Sequence, residues 1–202
     1  MKSPEARPES LGRRERRRRE AHDALYAVAI DLFVSGGYEA TKMEDIADRA
    51  DVSRATVFNH FAQKAGILEE WGARRRARVV EILRQQHAED LSVGERLRRY
   101  IDEMATLNIE SRTETVVLME ASARCGQLLR DPAPERELAR IIEDGARGGE
   151  VRPGIDPGEA GSLIAAGYFA GVLRWTTQEP PPFDLRTRLG GMLDIVLGGI
   201  LV

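Results

Sequence analysis

The chain has 202 residues and a formal net charge of -3, with 30 Lys and Arg against 33 Asp and Glu, which excludes a uniformly basic nucleic-acid coat. Its composition, 42% hydrophobic and 31% charged, is that of a folded globular chain rather than a disordered one. A single cysteine, Cys125, allows no internal disulfide, and the longest uncharged run, 160–173, is shorter than the roughly 20 apolar residues of a spanning helix. With a charged N-terminus that does not read as a signal peptide, a cytoplasmic protein with no membrane partner is expected.

Charge is not spread evenly. Residues 1–78 carry 16 Lys and Arg against 13 Asp and Glu, whereas the remainder carries 14 against 20. A basic front on an acidic body directs the search for an anionic partner to the front.

Residues 1–19 lack apolar periodicity and read as a flexible tail ending in the run Arg13-Arg14-Glu15-Arg16-Arg17-Arg18-Arg19. Leu25, Val28, Ala29, Leu32 and Phe33 follow at i, i+3, i+4, i+7 and i+8, one face of a helix that Gly36-Gly37 ends. Thr41-Lys42-Met43-Glu44 has the form of a capping box, with Thr41 as cap and Glu44 reaching back. Met43, Ile46, Ala47 and Ala50 give the second helix its apolar face, and Asp51-Val52 turns the chain. Ser53 caps a third helix through Thr56, Val57, His60 and Phe61, and a long fourth begins near Lys64 and runs towards His87.

The second half is again helical. Ser92, the segment 113–125, Pro132 with Pro134, and Asp156-Pro157 each mark a helix, and the last is expected over about 185–201. Alternating strand patterns and internal repeats are absent from the sequence, so the expected fold is all-α. Ala160–Trp175 and Leu189–Leu201 are apolar on almost every side. A helix apolar all round needs cover on every side, and a second copy of the chain is the expected source. The expected homodimer interface comprises Gly167, Gly171, Arg174, Leu189, Leu193 and Leu197, the alternative being that these residues form the core of one chain.

Two short helices joined by a tight turn over 41–61 form a helix-turn-helix pattern, whose second helix enters the DNA major groove. Its outward positions carry Arg54, Ala55, Asn59 and His60. Arginine suits guanine, asparagine suits adenine, and alanine fits against a thymine methyl. Thr56 and Lys64 suit phosphate.

The residues Gly37-Tyr38-Glu39-Ala40-Thr41, Ile46-Ala47, Val52–Phe61 and Lys64 together closely resemble the TetR (tetracycline repressor) family. The resemblance is specific over about 20–70 and architectural afterwards. It implies an N-terminal three-helix helix-turn-helix domain, 20–66, and a C-terminal helical ligand-binding and dimerisation domain, 67–202. Its implied DNA contacts are Thr41, Lys42, Ser53, Arg54, Ala55, Thr56, Phe58, Asn59, His60 and Lys64. Three positions depart from the family pattern. Asp51 stands where glycine is common, Lys42 replaces a frequent threonine, and Phe58 replaces the usual tyrosine, removing a hydroxyl expected to touch phosphate. The Arg13–Arg19 run either tracks the DNA backbone or minor groove or is a solvated charge run.

The resemblance also implies an effector pocket among the middle helices, for which Met104, Asn108, Met119, Cys125, Tyr168, Phe169 and Trp175 are candidates; each could equally be core. His22, His60 and His87 have no metal-ligand spacing, and Cys125 lies in no nucleophile motif. Neither a metal, a cofactor nor an enzyme is therefore expected. The function this implies is that of a homodimeric repressor, released from a pseudo-palindromic operator in double-stranded DNA by a small apolar or amphipathic effector. The alternative is a helical protein-binding adaptor without DNA affinity.

Overall fold

The computed structural model describes residues 8–202, and its backbone divides into two compact units at Ile67 and Leu68. The first holds α1 (Pro8–Gly36), α2 (Met43–Arg49), α3 (Arg54–His60) and the start of α4 (Lys64–Gln85). Leu25, Ala29 and Phe33 of α1 are buried, and the Phe33 ring meets Tyr38 edge-on at 5.0 Å. Met43, Ile46, Ala47, Val57 and Phe61 complete this core.

The expected flexible tail is corrected over its described part. Residues 8–19 belong to α1, and the arginine run is helical; residues 1–7 lie outside the described residues. Arginine and glutamate are good helix formers, and the pairs Arg16–Glu20 and Arg19–Glu15, each at 3.5 Å, sit at i,i+4 spacing. Once Leu25 and its neighbours are packed, extending the helix backwards adds a hydrogen bond per residue without a new nucleus.

The expected capping box also shifts by one residue. Lys42 is the N-cap of α2, and its backbone N–H donates to the Asp45 carboxylate at 2.7 Å. Thr41 is buried instead, its hydroxyl donating to the carbonyls of Gly37 at 2.9 Å and Leu32 at 3.3 Å. Asp51 takes φ +53° in the turn before α3, a left-handed conformation that a short polar side chain tolerates. Ser53 then caps α3, accepting from the Thr56 N–H at 3.1 Å.

The second unit holds the rest of α4, a short 3-10 turn (Ala88–Asp90), α5 (Val93–Glu110), α6 (Arg112–Arg124), α7 (Gln127–Arg130), α8 (Ala133–Arg147), α9 (Pro157–Thr176) and α10 (Leu185–Ile200). Ser92 with Glu95 closes a capping box on α5, while Asp156 and Asp184 cap α9 and α10. Helix α9 packs on α6, α8 and α10, and α10 also packs on α5. The approach of α8 to α9 requires Gly161, where a Cβ would sit 2.7 Å from the Glu135 carbonyl oxygen and 2.9 Å from the Ala139 nitrogen. An isolated antiparallel bridge, Val151 with Leu201, ties the C-terminus back to the end of α8. No helix among the described residues is long and apolar enough to cross a membrane.

Five of the six expected interface residues are corrected by this packing. Leu189, Leu193 and Leu197 are buried in the core of the single chain. Gly167 and Gly171 face α10 of the same chain, where added Cβ atoms would lie 2.7 Å from Met192 Sδ and Leu189 Cδ2. Apolar periodicity shows that two faces need cover but does not show which one the chain covers itself. The opposite faces are open: Leu163 is 58% exposed, Ile195 81%, and Ala166, Ala170, Gly191 and Gly198 are exposed beside them with Arg174.

Candidate nucleic-acid interface and ligand chamber

Val57 anchors α3 in the core of the first unit, and this fixes which residues α3 turns outwards. Arg54, Ala55, Phe58 and Asn59 are exposed, Thr56 and His60 half-buried. Among the described residues Arg54 has one weak partner, Glu44 at 3.5 Å, and its side chain remains 69% exposed. Phe58 is 47% exposed, so its ring faces away from the core. Ser53 and Lys42 are exposed at the N-terminal ends of α3 and α2, while the Ser53 and Thr56 hydroxyls lie 2.9 Å apart.

Two of the expected DNA contacts are corrected. The hydroxyl of Thr41 is turned inwards as described above. Lys64 directs its ammonium to the carbonyls of Tyr38 at 2.7 Å, Thr41 at 2.7 Å and Glu39 at 3.5 Å, and lies 4.4 Å from the Tyr38 ring centroid. An ammonium has three protons, so this arrangement uses all of them to tie α4 to the 38–41 loop. Sequence spacing marks Lys64 as a cation near a helix start but carries no sign of these carbonyls.

At the C-terminal end of α3, His22 stacks on Phe61 at 4.5 Å and its ring centre lies 5.4 Å from that of His60. Partial burial, and then the nearby His22 and Arg18, hold the His60 pKa below its ordinary value. These histidines share a cleft with Glu15, Arg18, Arg19 and Asp23. The helical arginine run therefore lies beside the end of α3.

In the second unit, Trp71, Tyr100, Met104, Met119, Leu138, Tyr168 and Phe169 line an apolar chamber that opens to solvent. Four of the expected ligand residues line it: Met104, Met119, Tyr168 and Phe169. Asn108 is fully buried and donates to the Tyr168 hydroxyl at 2.8 Å. The other two are corrected. Trp175 is buried with the Arg112 guanidinium 4.4 Å from its ring centre, and Cys125 caps the end of α6; neither lines the chamber.

The chamber also contains what the sequence reading missed, above all Arg75 and Arg76 of α4. Arg75 donates to Ser111 at 3.0 Å, to Asn108 and Thr115 at 3.3 Å, and to Glu114 at 3.4 Å, and lies over Trp71. Arg76 pairs with Asp131 at 3.1 Å and Glu137 at 3.3 Å. Glu114 also accepts from Trp71 Nε1 at 2.5 Å, and Glu137 from the Tyr100 hydroxyl at 2.8 Å. Burial, aided for Tyr100 by Glu137, raises the pKa of Tyr100 and of Tyr168, so both phenols remain protonated. An arginine cluster ordinarily reads as a solvated face, and only tertiary packing shows these two to be internal. No group of three or more metal-ligating side chains occurs among the described residues.

Comparison with known proteins follows the same division. The family model described as "Bacterial regulatory proteins, tetR family" matches residues 25–71. The chain is 25% identical over 200 residues to the HTH-type transcriptional repressor KstR of Rhodococcus jostii, covering 94% of this chain and 86% of that protein. Over 62 residues it is 40% identical to the HTH-type transcriptional regulator TcmR of Streptomyces glaucescens, covering 31% of this chain and 27% of that protein. Among solved structures, it is similar to the TetR-family transcriptional repressor FadR of Thermus thermophilus in complex with lauroyl-CoA. That match has a TM-score of 0.73 at 25% identity and covers 90% of this chain and 95% of the other.

Proposed function

The chain belongs to the TetR family of DNA-binding transcriptional regulators, and from that premise we propose that it is a cytoplasmic, homodimeric repressor whose effector occupies the chamber of the second unit. The outward face of α3 carries this reading: a buried Val57 holds Arg54, Ala55, Phe58 and Asn59 where a major groove meets them. Arg54 reads a guanine, Asn59 an adenine, and Ala55 and Phe58 contact thymine methyls or sugars. Lys42, Ser53, Thr56 and His60 hold the backbone around them. The arginine run of α1, beside His60, adds phosphate contacts outside the helix-turn-helix.

Residues 20–66 thus form the operator-binding domain and 67–202 the regulatory and dimerisation domain. Two copies place their α3 helices one DNA turn apart, about 34–36 Å. An effector releases the operator only by binding more tightly to the state with the wrong spacing. The apolar chamber and the likeness to a FadR structure holding lauroyl-CoA support a lipophilic effector. The chain is read as a regulator and not as an enzyme.

The test is binding of the purified protein to DNA fragments surrounding its own gene across a salt series. Selective binding that weakens steeply with salt is the expected result. Salt-insensitive association with a protein, and no selectivity even among random DNA sequences, would replace this reading with an adaptor.

A further inference from the structure

The guanidiniums and carboxylates around the chamber are paired with one another. Arg75 and Arg76 are the ionised side chains that line it, and their guanidiniums are held by Glu114, Asp131 and Glu137 behind the lining. All three carboxylates are occupied: Glu114 by Trp71 and Arg75, Glu137 by Tyr100 and Arg76, and Asp131 by Arg76 and the Ala133 N–H at 2.9 Å. An incoming anion would have to compete with carboxylates already on the guanidiniums. An incoming cation would lose its hydration without gaining an available carboxylate.

Tyr168 has a donor to spare. Asn108 uses both amide protons, one on the Met104 carbonyl at 2.7 Å and one on the Tyr168 oxygen at 2.8 Å. Its own oxygen lies within bonding distance of Arg75 at 3.3 Å and of Thr115 at 3.4 Å. The amide orientation is thereby fixed, and the Tyr168 oxygen is an acceptor in that bond. Its own proton has no acceptor among the described residues, although the side chain is almost wholly buried and lines the chamber. Leaving a buried donor without a partner is costly, and a bound acceptor would recover that cost.

We infer that the chamber selects an uncharged lipophilic molecule bearing a carbonyl oxygen, and that Tyr168 Oη donates its proton to that oxygen. The inference rests on the chamber being the effector site, and it narrows the effector from any amphiphile to neutral carbonyl compounds such as ketones and esters.

Four probes of equal chain length test it by calorimetry on the full chain: 2-decanone, decane, decanoate and decyltrimethylammonium. The ketone is expected to bind at least tenfold more tightly than either ion. Tyr168→Phe is expected to weaken the ketone about tenfold and leave decane unchanged. The carbonyl stretch of bound 2-decanone is expected at lower frequency in the unsubstituted protein than in Tyr168→Phe, a shift that loss of packing alone does not produce. Equal or tighter binding of decanoate or of the ammonium, a ketone affinity or carbonyl frequency unaltered by Tyr168→Phe, or no binding of any probe would overturn the inference. Operator binding measured without ligand is independent of all these outcomes, so failure here is distinct from failure of the repressor reading.

Discussion

Lys64 holds its ammonium on the carbonyls of Tyr38, Glu39 and Thr41, and so its charge serves the 38–41 loop. Arg54, by contrast, is largely exposed with a single long contact to Glu44. The two cations are therefore expected to respond differently to truncation. Lys64→Met leaves the two part-buried carbonyls of Tyr38 and Thr41 short of a donor, and charged hydrogen bonds of this kind contribute about 1.5–3 kcal/mol. The expected outcome is a destabilised first unit, seen as a lower melting temperature, with operator affinity lost alike for every sequence. Arg54→Ala should leave the melting temperature almost unchanged and weaken operator binding by about 1–3 kcal/mol, with relaxed preference at one base pair per half-site. Thermal melts together with binding to single-base operator variants distinguish the two. A melting temperature unaffected by Lys64→Met would remove its structural role.

At the scale of elements, α1 differs from its neighbours in running well beyond the core it serves. Leu25, Ala29 and Phe33 are buried, whereas described positions from Gly12 to Glu20 are exposed. Replacing Arg13, Arg14 and Arg17 with Gln keeps good helix formers and touches no buried residue, so stability should hold. If the run lies along phosphate, each lost contact flattens the plot of log affinity against log salt by about 0.9. An unchanged slope would return the run to the solvated charges it equally resembles by composition. The helix starts were legible where a single residue type carries the cap, as at Ser53, Ser92 and Asp156. Thr41 misled because a hydroxyl beside a helix start also suits a buried loop, and only the course of the 37–41 backbone decides between them. The face of α3 was legible because one buried valine sets its orientation. The internal arginines of α4 were not, since burial of a charge depends on carboxylates brought from α6, α8 and the turn between α7 and α8.

For the whole molecule, the α9 and α10 surface decides whether one chain or two form the functional unit. Leu163 and Ile195 are large apolar side chains left 58% and 81% exposed, on a surface that also carries Ala166, Ala170, Arg174, Gly191 and Gly198. Small residues flanking a few large ones allow close helix approach, and two such helices meeting their symmetry mates make a four-helix interface. A stable dimer needs about 1,200–2,000 Å² of buried surface, which two long helices per chain are able to supply. Ile195→Asp places a charge at the centre of that surface without disturbing the core, and is expected to yield folded monomers by sedimentation. Those monomers should bind a half-site weakly and lose the steep preference for the full palindrome, because spacing is read only by a pair. Leu193→Asp, two residues away but fully buried, should instead unfold the second unit. If Ile195→Asp leaves the dimer mass and operator affinity intact, the pairing surface lies elsewhere, and the exposed leucine and isoleucine must be covered by another partner.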